Sequence, residues 1–351
     1  MATITASFVR PCLRAGRRTD GQGDRVTVMI ESALRHGISR QQSSNFANFD
    51  VAVQSWYVAA RAKKVARGRA KTVHLLGRRI VLWRDASGRP HAMDARCPHL
   101  GADLGQGQVI GECLRCPFHH WTYDAEGKCI AAPGHETPPD RSTRRYPVVE
   151  RYGLIWLFNG ALPHFDLPEV PEDDSPDAYR RLLPPSQHID CHPDLVIGNG
   201  LDAAHFEALH GVIPTKEPML EQPDERTLSL LISGRPRSRL LAFLTGTRQR
   251  DVNARFTTIG AGLAWLTVTS PLRFHVLFTA RPSEQRGCVT QVVLFLPRGF
   301  GVQMGQSILL LYSLLHDDRR ILERLDFHRG FTETDEPLRR YAELIDGMEI
   351  S

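Results

Sequence analysis

The stretch from Cys97 to His119 constrains this chain more than any other. It reads Cys97-Pro98-His99, then sixteen residues, then Cys116-Pro117-Phe118-His119. Two thiolates and two imidazoles at C-x-H and C-x2-H spacing make a metal-ligand set. Gly101 and Gly105 follow the first pair, and His120-Trp121-Thr122-Tyr123 follows the second. Cys113 and Cys116 also form a C-x2-C pair, so a zinc site is the competing reading. Zinc held in paired hairpins, however, gives no reason for a leading Cys-x-His.

These residues resemble the Rieske family, where two histidines replace two cysteines on one iron of a [2Fe-2S] cluster. Imidazole ligation raises the potential into the range of about −150 to +300 mV. The quinol-oxidising branch carries an extra, disulfide-bonded cysteine in each ligand loop. Ala102 and Phe118 stand at those places here, so the likeness is to the oxygenase and ferredoxin branch.

At 351 residues with 42% apolar content, the chain has room for two domains with real cores. The longest apolar run, Ile308 to Leu315, is broken by Tyr312 and Ser313 and falls short of the ~20 residues of a membrane span. A soluble protein is expected. Seven cysteines do not suggest a disulfide framework at this length, and thiolate ligation of iron fits a reducing cytoplasm. The formal charge of +5 is mild. Much of it sits at Arg61, Lys63, Lys64, Arg67, Arg69 and Lys71, either as a solvated face or as a docking patch for an acidic electron donor. No aromatic residues interleave with these charges, which argues against nucleic acid.

Residues 1–48 carry little pattern and are read as a flexible N-terminal extension. Arg10, Arg14, Arg17, Arg18 and Arg25 hint at a transit peptide, and Met29 is an alternative start. From Trp56 onward, short β-rich runs alternate with glycine-bearing turns: Thr72–Leu75, Arg79–Trp83, Pro90–Asp94, Trp121–Tyr123, Lys128–Ala131, Tyr146–Val149 and Leu154–Phe158. They predict an all-β domain over 49–162. Pro163 to Pro185, rich in proline and acids, reads as a linker or wrapping segment. A second domain, 163–351, mixes a helix over Leu195–His210 with five strand-like runs: Thr227–Ile232, Leu240–Leu244, Ala264–Thr269, Phe274–Ala280 and Val289–Phe295. A long helix over Met304–Asp326 follows. Helices on one antiparallel sheet make the second domain α+β.

Leu195, Asp202, His205 and Leu209 would share one stripe of the first helix. A bare buried Asp202 would cost several kcal/mol, so it demands a partner. His210 lies about 140° around an ideal helix from His205, so both face one metal only if the helix unwinds near Gly211. On the last helix, Ile308, Leu311, Leu315, Asp318, Leu322 and Leu325 make an apolar seam on which Asp318 is the only charge. Asp317 lies off that seam and is the alternative carboxylate.

The run Asn199 to His210 resembles the N-x2-D-x2-H-x4-H motif of Rieske non-haem iron oxygenases. Those enzymes pair a Rieske domain with a helix-grip (START-like) catalytic domain. The resemblance implies mononuclear Fe(II) on His205, His210 and Asp318, open to dioxygen, with Asn199 near the iron. It also implies a homotrimer in which Asp202 bridges a histidine ligand of each centre between neighbouring subunits. Electrons would come from NAD(P)H through a separate reductase, with or without a ferredoxin, since no flavin or dinucleotide fingerprint is present. The likeness is nearest to the monooxygenase-like branch with steroid hydroxylases and desaturases, O-demethylases and aminopyrrolnitrin oxygenase. The block from Cys113 to Trp121, with His120 where many relatives have glycine, carries that nearness. Phe243, Phe256, Trp265, Phe274, Phe278 and Phe295 can line an apolar pocket for a hydrophobic small molecule, or serve as plain core. Two other classes compete: a ferredoxin-like electron carrier, and a lipid-binding helix-grip protein with a non-catalytic iron site. Metal analysis separates oxygenase from carrier: the oxygenase should hold about three irons per chain, two of them with inorganic sulfide, and the carrier two.

Overall fold

A computed structural model describes residues 44–171, 178–238, 251–270, 273–298 and 301–351. Its first part is all β: β1 (Trp56–Arg61), β2 (Ala70–Leu75), β3 (Arg78–Arg84), β4 (Pro90–Asp94), β5 (Gln108–Ile110), β6 (Cys113–Arg115), β7 (Thr122–Tyr123), β8 (Cys129–Ala131), β9 (Arg145–Tyr146), β10 (Val148–Arg151) and β11 (Leu154–Phe158). They form three antiparallel sheets, ordered β1-β11-β10, β2-β3-β4-β9 and β5-β6-β7-β8. The apolar run Ile80–Trp83 is buried on both faces of β3, with Val81 and Trp83 in one core and Ile80 and Leu82 in another. Leu76 and Gly77, both at positive φ, close the β2–β3 hairpin with the backbone that a two-residue loop requires.

The second part opens with β12 (Tyr179–Leu182), β13 (Gln187–Ile189), α1 (Pro193–Gly198) and α2 (Ala203–Ala208). It continues through β14 (Val212–Pro214), β15 (Met219–Asp224), β16 (Thr227–Pro236), β17 (Val252–Ile259), β18 (Leu263–Ser270), β19 (Phe274–Pro282) and β20 (Cys288–Pro297). Two helices, α3 (Gly301–Leu322) and α4 (Glu336–Asp346), end the chain. The nine strands make one antiparallel sheet, ordered β12-β20-β19-β18-β17-β16-β14, with β13 also on β20 and β15 on β16. One face of this sheet receives Ile308, Leu311 and Leu315 of α3. The other meets the sheet of β1, β10 and β11.

That second contact joins the two domains. Along β11, Leu154, Trp156 and Phe158 pack against Leu263, Trp265, Leu277, Val293 and Phe295 of the large sheet. Ile155 and Leu157 face the other way, into the first domain. Each such fully buried side chain contributes about 1.5–3 kcal/mol.

Several expectations change. The helix over Leu195–His210 is two short helices separated by a 3-10 turn, Asn199–Leu201. Asp202 has extended backbone (φ −85°, ψ 102°) and caps α2. The common stripe of Leu195, Asp202, His205 and Leu209 therefore does not exist. The last long helix stops at Leu322, and Leu325, assigned to its seam, is 45% exposed. The proline-rich segment is partly structured, with Leu167 and Val170 buried and β12 near its end. Strands β12 to β15 and β17, and helix α4, had no signal recognised. The run Leu240–Leu244 lies outside the described residues.

Of the expected extension, residues 1–43 lie outside the described residues, but Asn45 and Phe46 are buried. Asn45 Nδ2 donates to the carbonyls of Ile345, Asp346 and Met348, and Phe46 packs on Phe327 and Tyr341. Ala47 N donates to Asp194 Oδ2 at 3.0 Å. Burial pushes the Asp194 carboxyl up to about 7, with the Asp346 charge adding to it. An unfolded aspartate titrates near about 3.9, so the native state binds this proton more tightly. The stability it contributes is complete below about pH 4 and falls by about 1.4 kcal/mol per unit as pH rises towards 7. Melting temperatures of wild type and Asp194→Asn between pH 4 and 8 should diverge in that direction, the variant losing the slope.

Candidate metal centres

The first cysteine-histidine loop lies between β4 and β5, and the second between β6 and β7. Cys97 N donates to Ala102 O at 2.9 Å, and Cys116 N to Trp121 O at 2.8 Å, so each loop closes on itself. Cys97 and Cys116 are each 2% exposed and their thiols lie within hydrogen-bonding reach of one another. His99 and His119 face outward with ring centroids 4.6 Å apart. Trp121 stacks on His99 at 4.3 Å and 3°, which fixes the plane of that imidazole. Partial burial and the neighbouring His119 hold His99 below the usual imidazole value, which favours the neutral, ligating form. Tyr123, noted in the sequence only as a flank, places its hydroxyl 3.1 Å from Cys97 Sγ.

Four ligands around one zinc would stand about 3.3–3.8 Å from one another. Among the described residues these cysteines and histidines form no such group. Sulfurs paired inside and imidazoles paired outside suit two irons, one for each pair. The residues present fit a [2Fe-2S] cluster, and the described cysteines are free thiols.

The second site is built by the break at Asp202. The Asp202 carboxylate accepts from the backbone N–H of Ala204 (2.9 Å) and His205 (3.3 Å), which starts α2. Its half-buried charge thus finds the required partners in the backbone. The Asp202 carbonyl accepts from His205 Nδ1 at 2.6 Å, leaving Nε2 turned to the site. It is therefore the carbonyl, not the carboxylate, that orients this ring within the chain. α2 ends at Ala208 before His210, and Gly211 takes up φ +65°. The unwinding needed to bring both histidines together is present.

Asp318 Oδ1 lies 3.0 Å from His210 Nε2 and 3.8 Å from His205 Nε2. The three ligand atoms lie within 4.8 Å of one another. Atoms bound at right angles about 2.1 Å from one metal stand about 3.0 Å apart. Asp318 Oδ1 is buried and accepts no hydrogen bond. Burial holds His205 below its usual value, against the pull of Asp318. Asn199 Nδ2 is 3.5 Å from His205 Nε2. Asp317 is outside the trio. The donor set, two imidazoles and a carboxylate, fits a mononuclear iron with open positions.

Beside the trio lies a cavity of about 360 Å³, the size of a small-molecule site. Of the six aromatics read as pocket wall or plain core, Phe256 and Phe278 line it. Trp265 and Phe295 belong to the core between the domains, and Phe274 to the core under α3. Phe243 lies outside the described residues. The walls that sequence reasoning missed come from α3 and the edge of the sheet, including Leu182, Val292 and Ile308.

Residues 55–152 match the profile of the Rieske [2Fe-2S] domain, and residues 156–289 that of the 3-ketosteroid 9alpha-hydroxylase C-terminal domain. Aminopyrrolnitrin oxygenase of Pseudomonas fluorescens is 42% identical over 167 residues, 45% of this chain and 46% of the relative. The oxygenase component of chloroacetanilide N-alkylformylase from Rhizorhabdus wittichii is 36% identical over 170 residues, 47% and 49% of the two chains. The chain thus spans about half the length of the curated relatives it matches. Dicamba monooxygenase bound to dicamba shares the fold at a TM-score of 0.64 and 20% identity, covering 84% of this chain and 97% of that one. Within one chain, a Rieske [2Fe-2S] domain thus runs directly into a 3-ketosteroid 9alpha-hydroxylase C-terminal domain, on a fold shared with dicamba monooxygenase.

Proposed function

We propose that this protein is an oxygenase component that uses dioxygen to hydroxylate, demethylate or otherwise oxidise a hydrophobic small molecule. The observation that carries this reading is the His205/His210/Asp318 trio opening onto an apolar cavity. When bound, the cluster supplies single electrons and the mononuclear iron supplies open positions for dioxygen. The protein's own residues supply the rest. Apolar walls desolvate the substrate and hold it beside the trio. The Asp202 carbonyl keeps the proton on His205 Nδ1 and so keeps Nε2 free to ligate. Asn199 presents its amide beside His205. Relatives named aminopyrrolnitrin oxygenase, cholesterol 7-desaturase and 3-ketosteroid-9-alpha-monooxygenase support an apolar ring compound as the substrate.

A reductase drawing on NAD(P)H, directly or through a ferredoxin, would be the electron source. Lys63, Lys64, Arg67, Arg69 and Lys71 are exposed and make no ion pair among the described residues, so they offer an acidic donor a positive face. A homotrimer in the cytoplasm completes the proposal, with Asp202 as the bridge between subunits. Among the described residues no helix is long and apolar enough to cross a membrane. An electron carrier would have no use for the second site, and a lipid-binding protein none for the first.

Asp318→Ala should leave the visible spectrum of the cluster intact, remove the mononuclear iron, and cut product-coupled oxygen uptake by at least about a hundredfold. Retained turnover would hand the role to another carboxylate. Tyr123→Phe removes the hydroxyl at Cys97 Sγ. A hydrogen bond worth about 1 kcal/mol corresponds to about 40 mV for one electron, so redox titration should find the cluster potential lowered by roughly that amount.

A further inference from the structure

Strands β12 and β13 both pair with β20, Leu182 opposite Leu294 and Gln187 opposite Thr290. Between them, residues 183–186 face only residues 291–293 and make no ladder. Pro184 and Pro185 have no backbone N–H, so a regular strand cannot run through. The resulting bulge lines the cavity with Leu183, Pro184 and Pro185, and Pro185 is exposed on its outer side. It is the partition between cavity and water at this edge.

Side chains from elsewhere hold the partition. Arg61 Nη2 donates to Leu183 O at 3.1 Å and also to Pro184 O. Gln291, 4% exposed on β20, donates from Nε2 to Pro184 O at 2.8 Å. Gln291 Oε1 accepts from Arg61 Nε at 3.3 Å, which locks the two donors together. Arg61 ends β1 and falls within the residues matching the Rieske profile, whereas the carbonyls it holds belong to the catalytic part. A planar guanidinium grips two adjacent carbonyls and an amide from separate nitrogens held in a fixed fork, whereas a lysine offers its donors from one nitrogen on a flexible stem.

We infer that Arg61 is a positioning residue for the substrate cavity: with Gln291 it clamps the Leu183–Ser186 bulge, so the Rieske domain fixes the outer wall of the catalytic pocket. The inference rests on reading this cavity as the substrate site. Without the clamp, the two proline-flanked carbonyls lose their charged donor and the wall becomes mobile, so a fitted apolar ligand is held less tightly.

The test uses holoenzyme carrying Arg61→Ala, Arg61→Lys or Gln291→Leu, with cluster spectrum and iron content as controls. Titration with the neutral fluorophore N-phenyl-1-naphthylamine reads the cavity, and amide hydrogen exchange over residues 182–190 reads the wall. Arg61→Ala should weaken probe binding about tenfold and speed exchange in that peptide alone; Arg61→Lys should fall between it and wild type. If Arg61→Ala does not fold, the Lys and Gln291→Leu variants carry the test. Unchanged affinity and exchange in the folded variants, with wild type binding the probe, overturn the clamp and leave the cavity reading standing. A wild type that binds no probe overturns the cavity reading, and this inference with it.

Discussion

A carboxylate oxygen kept from water without a hydrogen bond costs a protein about 1–3 kcal/mol or more, and Asp318 Oδ1 is in that position. Two imidazoles turn their Nε2 atoms towards it, His210 at 3.0 Å and His205 at 3.8 Å. A cation shared among the three would convert this cost into binding energy. The surrounding architecture serves that arrangement. Helix α3 brings Asp318 over the large sheet, and the broken segment α1–α2 brings the histidines to meet it. The sheet beneath leaves an apolar cavity at their side.

The two halves of the chain are one folded unit because β11 has no solvent face. Its residues alternate between the core of the first domain and the core shared with the large sheet. A strand buried on both faces reads as an unbroken apolar run, and Leu154-Ile155-Trp156-Leu157-Phe158 is such a run. Sharing a core fixes the first domain against the second, so a side chain such as Arg61 can hold backbone on the far side of the boundary.

The cluster loops were legible because their ligands are local. Both pairs sit within twenty-three residues, and a backbone hydrogen bond inside each loop holds it shut. In the second loop His120 takes up a φ of 59°, the left-handed region that glycine adopts freely. The trio was legible only in part. Periodicity singled out Asp318, which lies with the two histidines in the structure, but the stripe that placed Asp202 and His205 together was false. An aspartate ahead of Ala-Ala-His is as good an N-cap as it is a helix residue, and capping won. The seam extended too far, to Leu325, because residues beyond a helix end can keep its spacing by chance. The N-terminal residues Asn45 and Phe46 gave no pattern because their partners lie some three hundred positions away.

By itself the sequence determined the chemistry on offer: thiolates, imidazoles and a carboxylate at spacings that metals require, on an all-β module followed by an α+β one. Those are local properties, set by neighbours along the chain. Only the tertiary structure decided which carboxylate meets the histidines and which aromatics face the cavity rather than the interdomain core. It alone showed that backbone atoms, Asp202 O among them, orient a ring. These depend on strand register and on contacts between residues far apart in sequence, where alternation says that a side chain is buried but not against what.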